Sequence, residues 1–226
     1  MYRRQSPASQ HDRQVSNCQL AKRRAGLITF WALVTIPVFL TMLCVILEVG
    51  NLWAARIQLK NALEAAALAG VQEWGDQVIA NPAMKDTMAS RTTAIAYAGA
   101  NVVNGAPVVL LANYNGANTN QNNDCTIITD ADLVFGTTEV NGSNEYVFNA
   151  ALSDGCGVNA NPTTTFFAVR AQTTMAVPSI CDTLFGFAIG NFDVTARVDA
   201  LYDCATTQPR IYHLDQDVTH YICPGP

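Results

Sequence analysis

The chain has 226 residues, half of them hydrophobic, and a formal net charge of −5. That length holds one membrane anchor and one domain of ordinary size. The charge is unevenly divided: residues 1–24 carry six basic side chains against Asp12 alone, whereas residues 48–226 carry seven basic against seventeen acidic, and an acidic domain argues against nucleic acid as a partner.

Residues 1–24 are polar, with Pro7 and scattered Ser and Gln. They read as a disordered basic tail. Lys22, Arg23 and Arg24 then stop abruptly, and residues 25–47 contain no charged side chain. About twenty apolar residues span the ~30 Å hydrocarbon core of a bilayer, and a helix satisfies its own backbone there. Residues 25–47 are therefore expected to form one transmembrane helix, with Pro37 as a tolerated kink. Basic flanks stay in the cytoplasm, so the tail is expected inside and residues 48–226 outside. A buried helix of a soluble core is one rival, but such helices are rarely charge-free for so long. A secretory signal peptide is another. Its apolar region is usually about 7–15 residues long and ends in an A-x-A site, and no such site follows here.

The helical pattern continues past Glu48. Leu52, Ala55, Leu59, Ala62, Ala66 and Ala69 recur at steps of three and four, the period of a helical stripe. Lys60 and Glu64 lie one turn apart and can pair weakly. Gly70 or Gly75 is the expected stop. Residues 48–75 thus read as an exterior helix continuing the span, a rod roughly 75 Å long from residue 25 onward. Ala62, Ala65, Ala66, Ala69 and Gly70 make a surface of very small side chains. Such a surface lets backbones approach closely, whether the partner is the chain's own sheet or another subunit. Trp53 and Leu59 would add apolar area near it. Glu48, at the outer end of the span, either reaches interfacial water or meets a cation on a neighbour.

Residues 76–226 read as an exterior α+β domain. Asn81-Pro82 is a turn signal. Met84–Val103 reads as a second helix with Met84, Met88, Thr92, Ile95, Gly99 and Val102 facing inward, broken at Asn104-Gly105. Pro107–Leu111 looks like a short strand, and the Asn-rich residues 113–124 like exposed loop. Thr126–Phe135 is strand-like, Asn141-Gly142 is a hairpin signal, and Tyr146–Leu152 answers it. Residues 153–161 read as loop. Phe167, Val169, Ala171, Thr173, Met175 and Val177 alternate with Arg170, Gln172 and Thr174. Phe192, Val194, Ala196, Val198, Ala200 and Tyr202 alternate with polar residues in the same way. Both read as half-buried strands with one polar face. Between them, Pro178-Ser179 precedes a short apolar helix within Ile180–Ile189.

Five cysteines fall outside the span: Cys125, Cys156, Cys181, Cys204 and Cys223. An exterior compartment would oxidise them. Two bridges and one free thiol can be drawn among them in 15 ways, and reduced buried cysteines are the alternative. Cys18 belongs to the tail and Cys44 to the membrane. No nucleophile elbow, zinc-protease or phosphate-loop motif occurs. His213, His220 and Cys223 with Asp215 or Asp217 match no zinc spacing, and read better as a solvated tail. Asp124, Asp130 and Asp132 lack the glycine of a calcium loop. No catalytic residue, metal site or cofactor is expected.

One resemblance is specific. Arg23-Arg24, Gly26, an apolar span with Pro37, Glu48-Val49-Gly50, and then Arg56-x-Gln58-Leu59-x-Asn61-Ala62-x-Glu64-Ala65-Ala66-Ala67-Leu68-Ala69-Gly70 resemble the N-terminal region of TadE/TadG-like proteins of the Tad (Flp) pilus-assembly system. Glu64 stands where the family usually has Asp. Trp31 stands where a processed type IV-like pilin carries Glu, so the N-terminus is expected to remain intact. The strand, Val-Pro, short apolar helix, Gly, strand order resembles the C-terminal part of TadG-like proteins, and Asp132-x-Val134-x-Gly136 a strand ending before it. The resemblance implies a pilin-like α+β fold, with a single transmembrane helix continuing into an exterior helix packed on a mainly antiparallel sheet. It implies a non-catalytic minor pilin or assembly component in the bacterial inner membrane. Its partners would be the lipid bilayer and other pilus or secretion-system subunits, including copies of itself. A membrane-tethered binding or adhesion module is the alternative.

Overall fold

The computed structural model describes residues 8–80, 86–112, 132–140, 146–149, 165–186 and 188–214. The chain divides into two compact units, Met1–Gly50 and Asn51–Pro226.

Helix α1 (Ala8–Ala80) enters both units. It corrects the expectation of a disordered tail, because helix begins at Ala8 rather than near residue 25. Residues 8–24 contain no Pro or Gly, and extending an existing helix is far easier than nucleating one. Pro37 lies inside the helix. One stretch of α1 is long and apolar enough to cross a membrane by length and composition. Its side chains Phe30, Leu33, Ile36, Val38, Phe39 and Met42 are all exposed, as a buried core helix would not leave them.

The expected stops, Gly70 and Gly75, both lie within α1. A glycine costs a helix interior about 1 kcal/mol relative to alanine, and here both glycines sit where another element comes close. A Cβ at Gly70 would lie 3.1 Å from the Ala94 Cβ, and one at Gly75 would overlap the Tyr202 ring.

In the second unit α2 runs from Met88 to Gly99, shorter than the expected Met84–Val103. Residues 81–85 lie outside the described set. Val102–Val103 form strand β1, paired with β2 (Ala106–Pro107). Asn104 and Gly105 have φ of 48° and 85°, so the expected helix break is a two-residue hairpin turn that needs positive φ at both positions. Of the expected strand Pro107–Leu111 only Pro107 pairs, within β2, although Val108 and Leu110 are buried while Val109 and Leu111 are exposed.

The main sheet comprises β3 (Leu133–Val140), β4 (Tyr146–Asn149), β5 (Thr165–Pro178), β6 (Asn191–Asp203) and β7 (Gln208–Leu214). Its order is β4-β3-β5-β6-β7, and every pairing is antiparallel. The Asn141-Gly142 signal lies between Val140 and its cross-strand partner Tyr146. The expected strand at 126–135 overlaps β3, which runs on to Val140; residues 126–131 lie outside the described set. Between β5 and β6 stands α3 (Ile180–Phe185). Ser179 Oγ accepts from the Asp182 N–H at its start, and Gly186 in the left-handed region ends it. That is an ordinary Ser cap and Gly stop. No element is predicted from the sequence over residues 208–214, where β7 stands. Its pairing partner β6 supplies the ladder that QPRIYHL does not advertise.

The core lies on one face of the sheet. Leu133, Phe135, Phe167, Val169, Ala171, Val198, Ala200 and Tyr202 pack with Leu59, Ala62, Leu63, Ala66, Ala67, Val71 and Trp74 of α1 and with Ala94 and Ala98 of α2. Trp74 meets Phe135 edge-on at 5.3 Å and Phe167 at 4.7 Å. The protein is thus α+β, with a long apolar N-terminal helix packed on an antiparallel sheet.

The opposite face is not the polar surface expected of a half-buried sheet. Arg170, Gln172, Asp199 and Leu201 are all at least nine-tenths buried. Arg170 and Asp199 face each other across β5 and β6. Their two side-chain bonds are each 2.6 Å, and the guanidinium lies 4.3 Å from the Phe148 ring centroid. Alternation reads correctly which residues share a face, but it cannot tell a solvated polar face from a covered one whose charges are paired.

Candidate functional site

The candidate site is residues 48–75 of α1, whose small side chains the sequence singles out for helix packing. Ala62 and Ala66 have no exposed surface, Gly70 is buried, and Ala65 and Ala69 are half-buried. The buried set is Ala55, Leu59, Ala62, Leu63, Ala66, Ala67, Gly70, Val71, Trp74 and Gly75. Its steps of three and four follow the expected stripe, but it turns toward Leu63, Ala67 and Val71 and leaves Ala69 at the margin. Leu59 lies in the core, whereas Trp53 is 68% exposed. With Leu52, Arg56 and residues 192–195 of β6 it lines an open groove of about 510 Å³. Glu48 is 8% exposed.

Small size matters at the lower end of this face. The Tyr202 ring lies over Gly75, and its hydroxyl donates to Asp76 Oδ1 at 3.0 Å. Burial, the bond to Asp76 and the charge of that carboxylate push the phenol up to about 12. Tyr212 on β7 is raised as well, first by burial and then by the charge of Asp199. At the β6–β7 turn, burial pushes the Asp203 carboxyl up, but the N–H groups of Ala205 and Thr206, the Thr206 side chain and Arg210 outweigh it. The net shift is downward.

Sequence reasoning missed Arg91. The expected inner face was Met84, Met88, Thr92, Ile95, Gly99 and Val102, but the buried residues of α2 are Ser90, Arg91, Ala94 and Ala98. Arg91 has no exposed surface. Its Nε donates to Thr87 Oγ1 at 2.9 Å, and Nη1 donates to the carbonyls of Ala112 at 2.6 Å and Leu133 at 2.9 Å. Its guanidinium lies 4.5 Å from the Phe135 ring centroid. A planar fork of donors suits this clamp. The one available signal was spacing, since Arg91 precedes Ala94 and Ala98 by three and seven residues.

Cys181 and Cys204 are disulfide-bonded, and so is Cys44, which the sequence reading had left out of the set as a membrane residue. Cys125, Cys156 and Cys223 lie outside the described residues. Among the described residues no cluster of three or more His, Cys, Asp or Glu could hold a metal ion. Asp132, one of the three aspartates weighed for calcium, accepts from the Leu111 N–H at 2.7 Å; Asp124 and Asp130 lie outside the described residues.

Comparison with curated proteins and with solved structures gave no match. Residues 26–73, which hold the apolar run and most of the small-residue face, match the family model described as putative Flp pilus-assembly TadE/G-like, and this match supports a role related to pilus assembly.

Proposed function

We propose that the chain is a membrane-anchored, non-catalytic minor pilin or assembly component of a Tad/Flp-type pilus or related secretion system. The observation that carries the reading is the family match over residues 26–73. The charge step across residues 25–47 adds an orientation, with the N-terminus cytoplasmic and residues 48–226 beyond a bacterial inner membrane. The partners are other pilus or secretion-system subunits, including further copies of this chain. The half-buried side of α1 at Ala65 and Ala69, with Glu48, belongs to helix packing between subunits in this reading. The pilin-like description rests on the long helix laid on an antiparallel sheet.

Affinity capture of the full chain from solubilised membranes tests this. Co-purification of pilus-machinery subunits is the expected result. Recovery of a surface ligand without such subunits would favour a tethered adhesion module instead.

A further inference from the structure

Residues 87–112 carry one charged side chain, Arg91, and it is buried. The outer surface of α2 and of the segment after it is therefore free of charge. It belongs to a stretch, residues 48–226, with seven basic side chains against seventeen acidic. On this surface Met88, Tyr97, Val102, Val109 and Leu111 are 43–70% exposed. With roughly 150–200 Å² for each large side chain, that is about 500 Å² of apolar area, in the range that often marks a functional patch. The small exposed residues between them extend it toward the ~800 Å² per partner of a standard interface.

These side chains form one surface. Residues 108–112 run back alongside α2. At one end the Val108 N–H donates to the Asn101 carbonyl at 3.2 Å, and at the other Arg91 Nη1 donates to the Ala112 carbonyl at 2.6 Å. Val108 and Leu110 turn into the core, so Val109 and Leu111 turn outward beside the helix. Val102 pairs with Pro107 at the end of the same face. Its polar groups are used within it. Thr92 Oγ1 donates to the Met88 carbonyl at 2.9 Å, and Asn101 Nδ2 to the Tyr97 carbonyl at 2.7 Å. The flanking carboxylates of Asp86 and Asp132 accept from the N–H groups of Met88 and Leu111. Uncharged surface with exposed Met and Tyr is the composition of an interface core.

The charge says which partner. A basic partner would be drawn to the acidic remainder of the domain and would find nothing to pair with here. A second copy carries the same acidic charge, and like charges brought together oppose association. A face without charge lets two copies meet with no like charges in contact, and it is complementary to itself, as an isologous interface requires. We propose that the outer side of α2, with residues 102–111, joins two copies of the chain in a two-fold pair. This surface is separate from the α1 packing proposed above and stands without the pilus reading.

The test uses the full chain purified in a mild non-ionic detergent, with a benzophenone photocrosslinking residue in place of Tyr97, Val109 or Val147, one at a time. Val147 is exposed on β4 and pairs with Glu139, roughly 20 Å along β3 from the Leu133 carbonyl that Arg91 holds. The expected result is adducts between copies at 97 and 109 and none at 147. Their yield should hold or rise from about 50 to about 500 mM salt, because salt screens the repulsion between acidic domains. Ala96 is exposed on the same face. Ala96→Glu and Ala96→Lys should each abolish the adducts, and mixing the two variants should restore them, which misfolded chains could not do. Ala65→Glu, on α1, should leave them in place. Absence of adducts at 97 and 109, equal adducts at 147, or a yield that falls with salt overturns the proposal. So do adducts that survive Ala96→Glu, a mixture that fails to restore them, or their loss with Ala65→Glu, which would trace them to α1.

Discussion

The ring of Tyr202 occupies the space that a Cβ on Gly75 would need, so the sheet and α1 touch there without a side chain on the helix. Gly75→Ala is therefore an overpacking change. It is expected to destabilise the protein by about 1–3 kcal/mol, read as a lower urea midpoint at unchanged slope. Tyr202→Phe keeps the ring and removes only the bond to Asp76. It is expected to cost about 0.5–1.5 kcal/mol.

The tyrosines also set an alkaline limit. The Tyr202 phenol rises from 10.0 to about 12 on folding, so its contribution is fully present below pH 10 and is lost as pH rises toward 12. Tyr212 shifts in the same direction, so Tyr202→Phe should flatten only part of the loss. Asp203 moves the other way from its ordinary 3.8. Its contribution is present above that value and lost as pH falls below it. Thermal midpoints across these two windows, for wild type, Tyr202→Phe and Asp203→Asn, check the signs.

Arg91→Leu would leave the carbonyls of Ala112 and Leu133 without their donor. Stranding a buried acceptor such as the Leu133 carbonyl costs about 1–3 kcal/mol, and the half-buried Ala112 carbonyl adds less, so the variant should be clearly destabilised. Arg91→Lys keeps the charge but lacks the fork and should fall between. An arginine acting only as surface charge would show almost no change in unfolding midpoint for either.

The two sides of α1 should separate by phenotype. Ala66 has no exposed surface within the core. Ala66→Glu should lower the melting temperature sharply, because it buries a charge with no planned partner. Ala65 is half-buried on the side assigned above to packing between subunits, and Ala65→Glu should change melting far less than Ala66→Glu while weakening capture of partner subunits. Equal loss of melting stability for Ala65→Glu would place that residue in the domain's own packing instead.

Cys181 and Cys204 are disulfide-bonded. Alkylation of the unfolded, unreduced protein should therefore miss both, and prior reduction should expose them. Loss of a native bridge from a small secreted domain typically costs about 2–5 kcal/mol, so reduced protein should melt lower. Mass mapping that finds either thiol labelled before reduction would contradict the assignment.

Much of this was legible in residue order, because it depends on neighbours a few positions apart. The charge-free run 25–47, the stripe from Ala55 to Ala66, the alternation from Val194 to Tyr202 and the short helix after Pro178-Ser179 are each local patterns. The remainder depends on partners far along the chain. Arg91 is buried because carbonyls 21 and 42 residues later accept from it. Arg170 is buried because Asp199, 29 residues on, neutralises it. Gly75 continues a helix it was expected to end because a tyrosine more than 120 residues away fills its empty side. β7 is a strand because β6 lies beside it. Sequence by itself determined where the apolar faces are and what period they follow. Only tertiary structure decided which polar groups are buried, since burial of a charge is set by the partner that compensates it.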